Sequence, residues 1–389
     1  MTRVFTSDYR DHNQKHPDPF PVWDLKRVDH PTTAINKGEV QRKDERDGGF
    51  PRAGRGDFGP FIQKEYPRFV MKHPLSAALM TMARTLARVV DGPVETDPVS
   101  LTGDPAANAR HIKETAYYLR ADMVGICELP PYAVFTHDRY AGKPIECQHK
   151  YAISILIDQD WRTAAAFTGN DWISNSMSFL SYSTSGFIAC NLAEYIRRLG
   201  YPARAHHAAN YQVVVPPILL WAGLGEVCRM GGIVVNPFLG PRFKAAVVTT
   251  DMPLSIDKPI DFGLQDFCAR CGKCAEKCPS QAISYGDKVM YNGYERWPLD
   301  VEKCTGMRVG NQKGAGCGTC IKVCPWNKPN TPLHRMVNWT VRHAPISRSI
   351  VIKADDVLGY GKPKPEWKWW LDLEDVDGVL QVASTRKEK

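Results

Sequence analysis

The chain has 389 residues, 43% of them hydrophobic, with 50 Lys and Arg against 42 Asp and Glu and a formal net charge of +8. That composition excludes a disordered polypeptide and supplies enough apolar material for one large core or two domains. The basic residues form no runs, which points to an acidic redox partner and away from nucleic acid.

Residues 1–72 are polar and rich in Pro, Gly, Asp and Arg, and read as an extended segment wrapped on the body. Its aromatics Phe20, Trp23, Phe50, Phe58 and Phe61 are available to line a pocket. Met1 to Arg10 shows no apolar leader, so a cytoplasmic location is expected.

Residues 73–260 read as the main core. Leu75, Leu79, Met82, Leu86 and Val89 recur at helical spacing from Pro74 until Gly92-Pro93, predicting a core-facing helix. Asp104-Pro105 offers an N-cap and a first-turn proline for a helix through Tyr118. Met123–Leu129 and Tyr151–Ile157 are predicted strands. A long helix over Asn175–Leu199 follows, with Phe187, Ile188, Leu192, Tyr195 and Ile196 inward and Gly200 at its C-cap. Its first half is crowded with Ser174, Ser176, Ser178, Ser181, Ser183, Thr184 and Ser185, whose hydroxyls either face a ligand or cap neighbouring backbone.

The best membrane candidate, Val213 to Val227, is broken by Pro216 and Pro217 and carries Glu226, so no span is expected. Gly223, Gly225, Gly231 and Gly232 let backbone approach something large and flat, or let a helix and a strand pack closely. A strand over Phe243–Thr250 closes this region.

Residues 261–335 hold the most specific signal. Cys268-Ala-Arg-Cys271-Gly-Lys-Cys274-Ala-Glu-Lys-Cys278-Pro279 is followed by Cys317-Gly-Thr-Cys320-Ile-Lys-Val-Cys324-Pro325. In two-cluster ferredoxins of this type the last cysteine of each run ligates the other cluster. One [4Fe–4S] cluster is therefore assigned to Cys268, Cys271, Cys274 and Cys324. The second takes Cys278, Cys317 and Cys320, with Cys304 as the nearest spare thiol. C-x₂-C pairs also bind zinc, though three cysteines at this spacing before x₃-C-P favour iron and sulfur. The other four of the 12 cysteines, Cys127, Cys147, Cys190 and Cys228, are expected as small buried hydrophobes. Residues 336–389 form an aromatic tail, with Trp339, Trp367, Trp369 and Trp370, expected to dock on the core and to fray over its last residues, Ser384 to Lys389.

Ala222-Gly-Leu-Gly-Glu226, Arg229-Met-Gly231, Gly240-Pro-Arg242, Thr249-Thr-Asp-Met-Pro-Leu254, Ile196-Arg-Arg-Leu-Gly-Tyr201 and the cluster motifs ending Cys324-Pro-Trp-Asn327 together resemble the corrinoid-dependent reductive dehalogenases. Epoxyqueuosine reductase, a tRNA-modifying corrinoid enzyme, is similar in the same region and is the alternative. It reads Gly-Trp-Ile-Gly-Lys-Asn where this chain has Gly225-Glu-Val-Cys-Arg-Met230.

The resemblance implies an α/β (α+β) fold with a nitroreductase-like cobalamin-binding core and an inserted ferredoxin-like module. It implies base-off cobalamin beside Leu224, Gly225, Arg229 and Met230, and two clusters relaying electrons to it. It implies Tyr182 as proton donor with Arg242 beside it and Asn210 as a third polar position. The expected substrate is an organohalide, an aryl halide by preference. The twin-arginine leader and the fused reductase of many relatives are both absent from this sequence. An external ferredoxin, flavodoxin or reductase is thus the expected electron donor, and a homodimer is a compatible assembly.

Overall fold

The computed structural model describes residues 18–98, 103–368, 373–376 and 379–382. The first segment is less extended than its composition suggests. Beyond an irregular run that pairs Arg27 with Ile260 and Ile35 with Tyr294, it forms helices α1 (Gly49–Arg55) and α2 (Pro60–Met71). Gly56, at φ +96°, ends α1, and Pro60 opens α2.

Helix α3 (Pro74–Leu86) forms where the periodicity places it, but only part of its apolar stripe is covered. Leu79 and Leu86 pack inward, whereas Leu75, Met82 and Val89 are exposed. Helix α4 (Pro105–Tyr118) begins as expected, with the Asp104 carboxylate accepting the Ala106 N–H at 2.9 Å.

Strands β1 (Met123–Glu128) and β2 (Tyr151–Asp158) precede the short helix α5 (Trp161–Ala165) and the long helix α6 (Ile173–Arg198). Then come β3 (Ala203–His206), α7 (Val215–Trp221), the small pair β4 (Glu226–Val227) and β5 (Val234–Val235), and β6 (Phe243–Thr250). The main sheet has the order β1-β2-β6-β3, and every pairing in it is antiparallel. The architecture is thus α+β and not a parallel α/β sheet.

Side-chain alternation decides what each face of this sheet covers. Ala246 and Val248 of β6, with Ile153 and Ile155 of β2, pack on Ile188, Leu192 and Ile196 of α6. Ala245 and Val247 face Ile218, Leu219 and Leu224 on the other side. Phe187, expected inside, is 51% exposed. The serines of α6 serve packing. Ser176 lies 2.8 Å from Ser76 of α3, Ser183 donates to the Leu79 carbonyl at 2.6 Å, and Ser178 accepts from Gln159. Small hydroxylated residues let α3 and α6 approach closely and satisfy their own polar atoms.

The cysteine module contains α8 (Leu264–Cys271), α9 (Lys273–Glu276), the hairpin β7 (Val289–Tyr291) and β8 (Tyr294–Arg296), α10 (Val301–Gly310) and α11 (Thr319–Lys322). Helices α12 (Pro332–His343) and α13 (Ser347–Val357) close over it. A last hairpin pairs β9 (Leu373–Val376) with β10 (Val379–Val382). The Trp367 and Trp161 ring centres lie 4.9 Å apart, while Trp339 is exposed. Trp369, Trp370 and Ser384 to Lys389 lie outside the described residues. Among the described residues no helix is long and apolar enough to cross a membrane.

Candidate active site and cluster module

Tyr182, in the first half of α6, packs against a buried cluster that includes Phe69, Phe167, Trp172 and Phe179, and Phe50, Tyr66 and Trp367 pack against the same cluster. Phe50 of the first segment stacks on Phe69 at 5.3 Å and lies under the Arg308 guanidinium at 4.5 Å. Phe20 instead stacks on Phe238, Phe58 lies under Arg52, and Trp23 and Phe61 are exposed.

The cation beside Tyr182 is Lys244, whose Nζ lies 5.2 Å from the ring centre. It is not Arg242. That guanidinium is buried, donates to Asp158 at 2.8 Å and to the Lys328 carbonyl at 2.9 Å, and reaches the Asn327 amide oxygen at 3.3 Å. A Cβ on Gly240 would lie 2.4 Å from the Trp326 carbonyl oxygen. The Gly240-Pro-Arg242 motif thus joins the core to the chain leaving Cys324, and its arginine is spent on that junction. The sequence held a signal for Lys244: alternation places it on the face of β6 that Ala246 and Val248 turn toward α6. Tyr211 is a second neighbour of Tyr182 that sequence reasoning missed. Its hydroxyl donates to the Ala245 carbonyl at 2.6 Å, and burial, then the proximity of Tyr182, holds its pKa far above the ordinary tyrosine range.

Asn210 belongs to a different network. Its oxygen accepts from Arg204 at 2.7 Å and its amide donates to the Ala87 carbonyl at 3.4 Å. Arg204 also donates to His206 Nδ1 at 2.9 Å, and Thr249 Oγ1 lies 2.9 Å from His206 Nε2, 2.8 Å from His149 Nδ1 and 3.7 Å from Cys147 Sγ. Cys147 is therefore no inert core thiol. It is half-buried, and hydrogen bonds from His149 and Thr249 outweigh the upward push of burial and draw its pKa down. The other three scattered thiols are buried as expected, and burial raises all of them, Cys190 to about 11.

The residues expected at the cofactor do mostly structural service. Leu224 is buried against Gly125 of β1, and a Cβ on Gly225 would lie 2.3 Å from the Val235 carbonyl oxygen. Gly223 and Gly231 are equally hemmed in, by the Lys258 carbonyl and by Leu299. Arg229 donates to the carbonyls of Cys268, Ser284 and Gly286, each at 3.0 Å, with its guanidinium over Trp297, and so clamps the cysteine loop to the core. Met230 is buried beside it. Gly232 alone of the four glycines faces open space, at φ +99°. It borders a cavity of about 210 Å³ walled by Tyr132, Leu220, Val227, Tyr291 and Tyr294, with Lys43 and Arg296 among its polar residues. The buried Thr33 hydroxyl, which has no partner among the described residues, lines this cavity too.

The eight motif thiols fall into the two sets the spacing predicts. Cys268, Cys271, Cys274 and Cys324 surround one small hollow with Arg229, Met230 and Trp326. Burial raises all four, Cys274 to about 12, and neighbouring thiols add to it at Cys268, Cys274 and Cys324. The backbone N–H groups of Arg229, Lys273, Ala275 and Trp326 are turned to these four sulfurs in that order. Cys304 is neighbour to Cys278 and Cys317, and Cys320 to all three. Cys278 Sγ accepts the Ala282 N–H at 3.3 Å, and Cys317 is 3.2 Å from the Thr319 hydroxyl. Among the described residues no three His, Cys, Asp or Glu side chains converge on a single ion. Four thiols spread around a hollow and met by N–H donors suit a polynuclear cluster better than zinc, which draws four ligands to one point.

Comparison with known proteins places these features. Residues 267–328 match the 4Fe-4S dicluster domain family. The tetrachloroethene reductive dehalogenase of Sulfurospirillum multivorans is 30% identical over 342 residues, 76% of this chain and 65% of that protein. The catabolic reductive dehalogenase NpRdhA superposes with a TM-score of 0.89 at 45% identity, over 94% of this chain and 53% of that one. It is also known in complex with 3-bromo-4-hydroxybenzoic acid. The epoxyqueuosine reductase of Leadbetterella byssophila is similar over 120 residues only, 27% of this chain, at 32% identity. The chain thus spans less than two thirds of the length of the reductive dehalogenases it matches, 65% for the Sulfurospirillum multivorans protein and 41% for that of Desulfitobacterium hafniense.

Proposed function

We propose that this chain, a relative of the reductive dehalogenases that carries a 4Fe-4S dicluster domain, replaces a carbon-bound halogen of an organohalide by hydrogen. The observation that carries this reading is the pairing of Tyr182 with Lys244. The overall change consumes two electrons and one proton and releases one halide.

Tyr182 supplies the proton from its hydroxyl. Tyrosine ordinarily ionises near pH 10, so a neutral-pH donor needs its phenolate stabilised. A positive charge can supply that, and the Lys244 ammonium stands 5.2 Å from the ring centre. The aromatic residues packed on the same cluster as Tyr182 favour an aryl halide as substrate, in keeping with the brominated phenol ligand of NpRdhA.

The cavity of about 210 Å³ beside Gly232 is too small for a whole corrinoid; its tyrosine and aliphatic walls, with the Thr33 hydroxyl, Lys43 and Arg296, would meet only part of one. When bound base-off, in the core that the resemblance likens to nitroreductases, cobalamin supplies the reductive chemistry at the carbon–halogen bond. The thiol sets from Cys268 and from Cys278 hold the clusters that relay electrons from an external low-potential donor.

The test is halide release from 3-bromo-4-hydroxybenzoate and from tetrachloroethene by anaerobic protein loaded with iron, sulfide and cobalamin, with excess titanium(III) citrate. Bromide release from the phenol above a cobalamin-only control is expected. Release from neither compound by fully loaded protein overturns the reading.

A further inference from the structure

The ring of Trp326, two residues beyond Cys324, is wedged between Phe262 and Phe267, with centroids 4.9 and 5.5 Å away and both contacts edge-to-face. Only 6% of this residue is exposed. Its indole Nε1 is sealed from solvent and has no hydrogen-bond partner among the described residues. A buried indole N–H normally finds an acceptor, because an unpaired one has lost its hydrogen bond to water and gained none in return.

Trp326 borders two spaces. One is an open apolar cleft of about 310 Å³ under α12 and α13, with Phe20, Phe238, Leu333 and Leu358 on its walls. An N–H closed to solvent does not reach into an open cleft. The other space is the much smaller hollow among Cys268, Cys271, Cys274 and Cys324. Its thiols already receive backbone N–H groups, that of Trp326 among them. The acceptors missing from this hollow are cluster sulfurs.

We propose that the Trp326 indole donates an N–H···S hydrogen bond to the cluster held by Cys268, Cys271, Cys274 and Cys324, and that this bond raises the reduction potential of that cluster above the value it would otherwise have. The inference rests on the two-cluster reading. Reduction adds one electron and leaves more negative charge on the sulfurs, and a donor gains strength against a more negative acceptor. The bond therefore favours the reduced state, with no atom transferred.

The position gives the bond a use. This cluster lies on the cleft side, with only the layer of Phe267, Pro325 and Trp326 between its hollow and the cleft. The Cys278 set lies on the α6 side: a Cβ on Gly316 would be 2.9 Å from Ser174 Oγ, and one on Gly169 would be 3.9 Å from Cys317 Sγ. The bond thus separates the potentials of the two clusters, and Trp326 is a positioning residue for electron transfer between them.

The test is an EPR-monitored redox titration of protein shown to hold eight irons. Trp326→Phe keeps the ring and loses the donor. One of the two cluster midpoints should fall by about 59 mV, a tenfold loss in the reduced-to-oxidised ratio of a one-electron couple, while the other stays. Trp326→His, which restores a ring N–H, should recover part of the shift. An unmoved pair of midpoints, or an equal shift of both, overturns the proposal. If Trp326→Phe loses iron, unmutated protein carrying [indole-¹⁵N]tryptophan decides: a ¹⁵N coupling to a reduced cluster is expected, and its absence is fatal. Fewer than eight irons in unmutated protein defeats the two-cluster reading itself, separately from the role of Trp326.

Discussion

The Lys244 ammonium lies 5.2 Å from the centre of the Tyr182 ring, on the face of β6 that packs against α6. The strand supplies the charge and the helix supplies the acid, so neither element makes the site alone. Tyr182→Phe should lower halide release by about 10² to 10⁴, the usual span for a positioned acid, with iron content and corrinoid binding kept. Lys244→Gln should lie between the wild type and that variant, and Lys244→Arg should retain more activity. Full activity of Tyr182→Phe under excess reductant would assign the proton to another donor.

Arg242 predicts a different outcome. Its guanidinium pairs with Asp158 and ties β6 to the Lys328 carbonyl, so Arg242→Ala should show first as lost stability. About 2–4 kcal/mol is expected, below the range for a fully sealed pair, because 24% of the Asp158 side chain stays exposed. Thermal unfolding followed by circular dichroism checks this. A variant with unchanged stability and lost turnover would return Arg242 to the chemistry.

Cys304 lies outside both cysteine runs yet stands beside Cys278 and Cys317. Cys304→Ser should lower bound iron from about eight to about four per chain, or leave a cluster that loses iron on brief exposure to air. Iron and sulfide assays read the result directly. Eight stable irons in the variant would remove Cys304 from the ligand set.

Among the non-cluster thiols, Cys147 should react first. His149 and Thr249 draw its pKa below that of an ordinary thiol, while burial pushes Cys127, Cys190 and Cys228 up. Brief iodoacetamide treatment of cluster-loaded protein at neutral pH, followed by peptide mass mapping, should mark Cys147. His149→Gln should slow that labelling. Equal labelling of the three buried thiols would contradict their burial.

His207 gives a pH dependence. Burial is the main cause that lowers its pKa from 6.5 to about 4, and neither ring nitrogen finds a side-chain partner. The unfolded chain binds this proton more readily, so the stability His207 contributes is complete above pH 6.5 and is lost as pH falls toward 4. The loss is on the order of 3 kcal/mol. Denaturant midpoints measured over that range should fall less steeply for His207→Gln than for wild type.

Features written in short spacings are legible in the chain alone. The Asp104 cap, the bounds of β6 and the x₂-x₂-x₃ cysteine runs depend on neighbours within a few residues, so local sequence is enough to place them. The Gly240-Pro-Arg242 motif is equally visible, but its role is not. Arg242 and Asp158 are 84 residues apart, and a guanidinium reads the same whether it meets a phenol or a buried carboxylate. The packing of β2 beside β6 gives Arg242 to Asp158 and leaves Lys244 for Tyr182. The serines of α6 show the same limit. Their crowding signals polar contacts, and the packing of α3 and β2 makes those contacts protein and not ligand. Composition likewise does not separate Cys147 from Cys127, because the difference lies in the side chains that fold around each thiol.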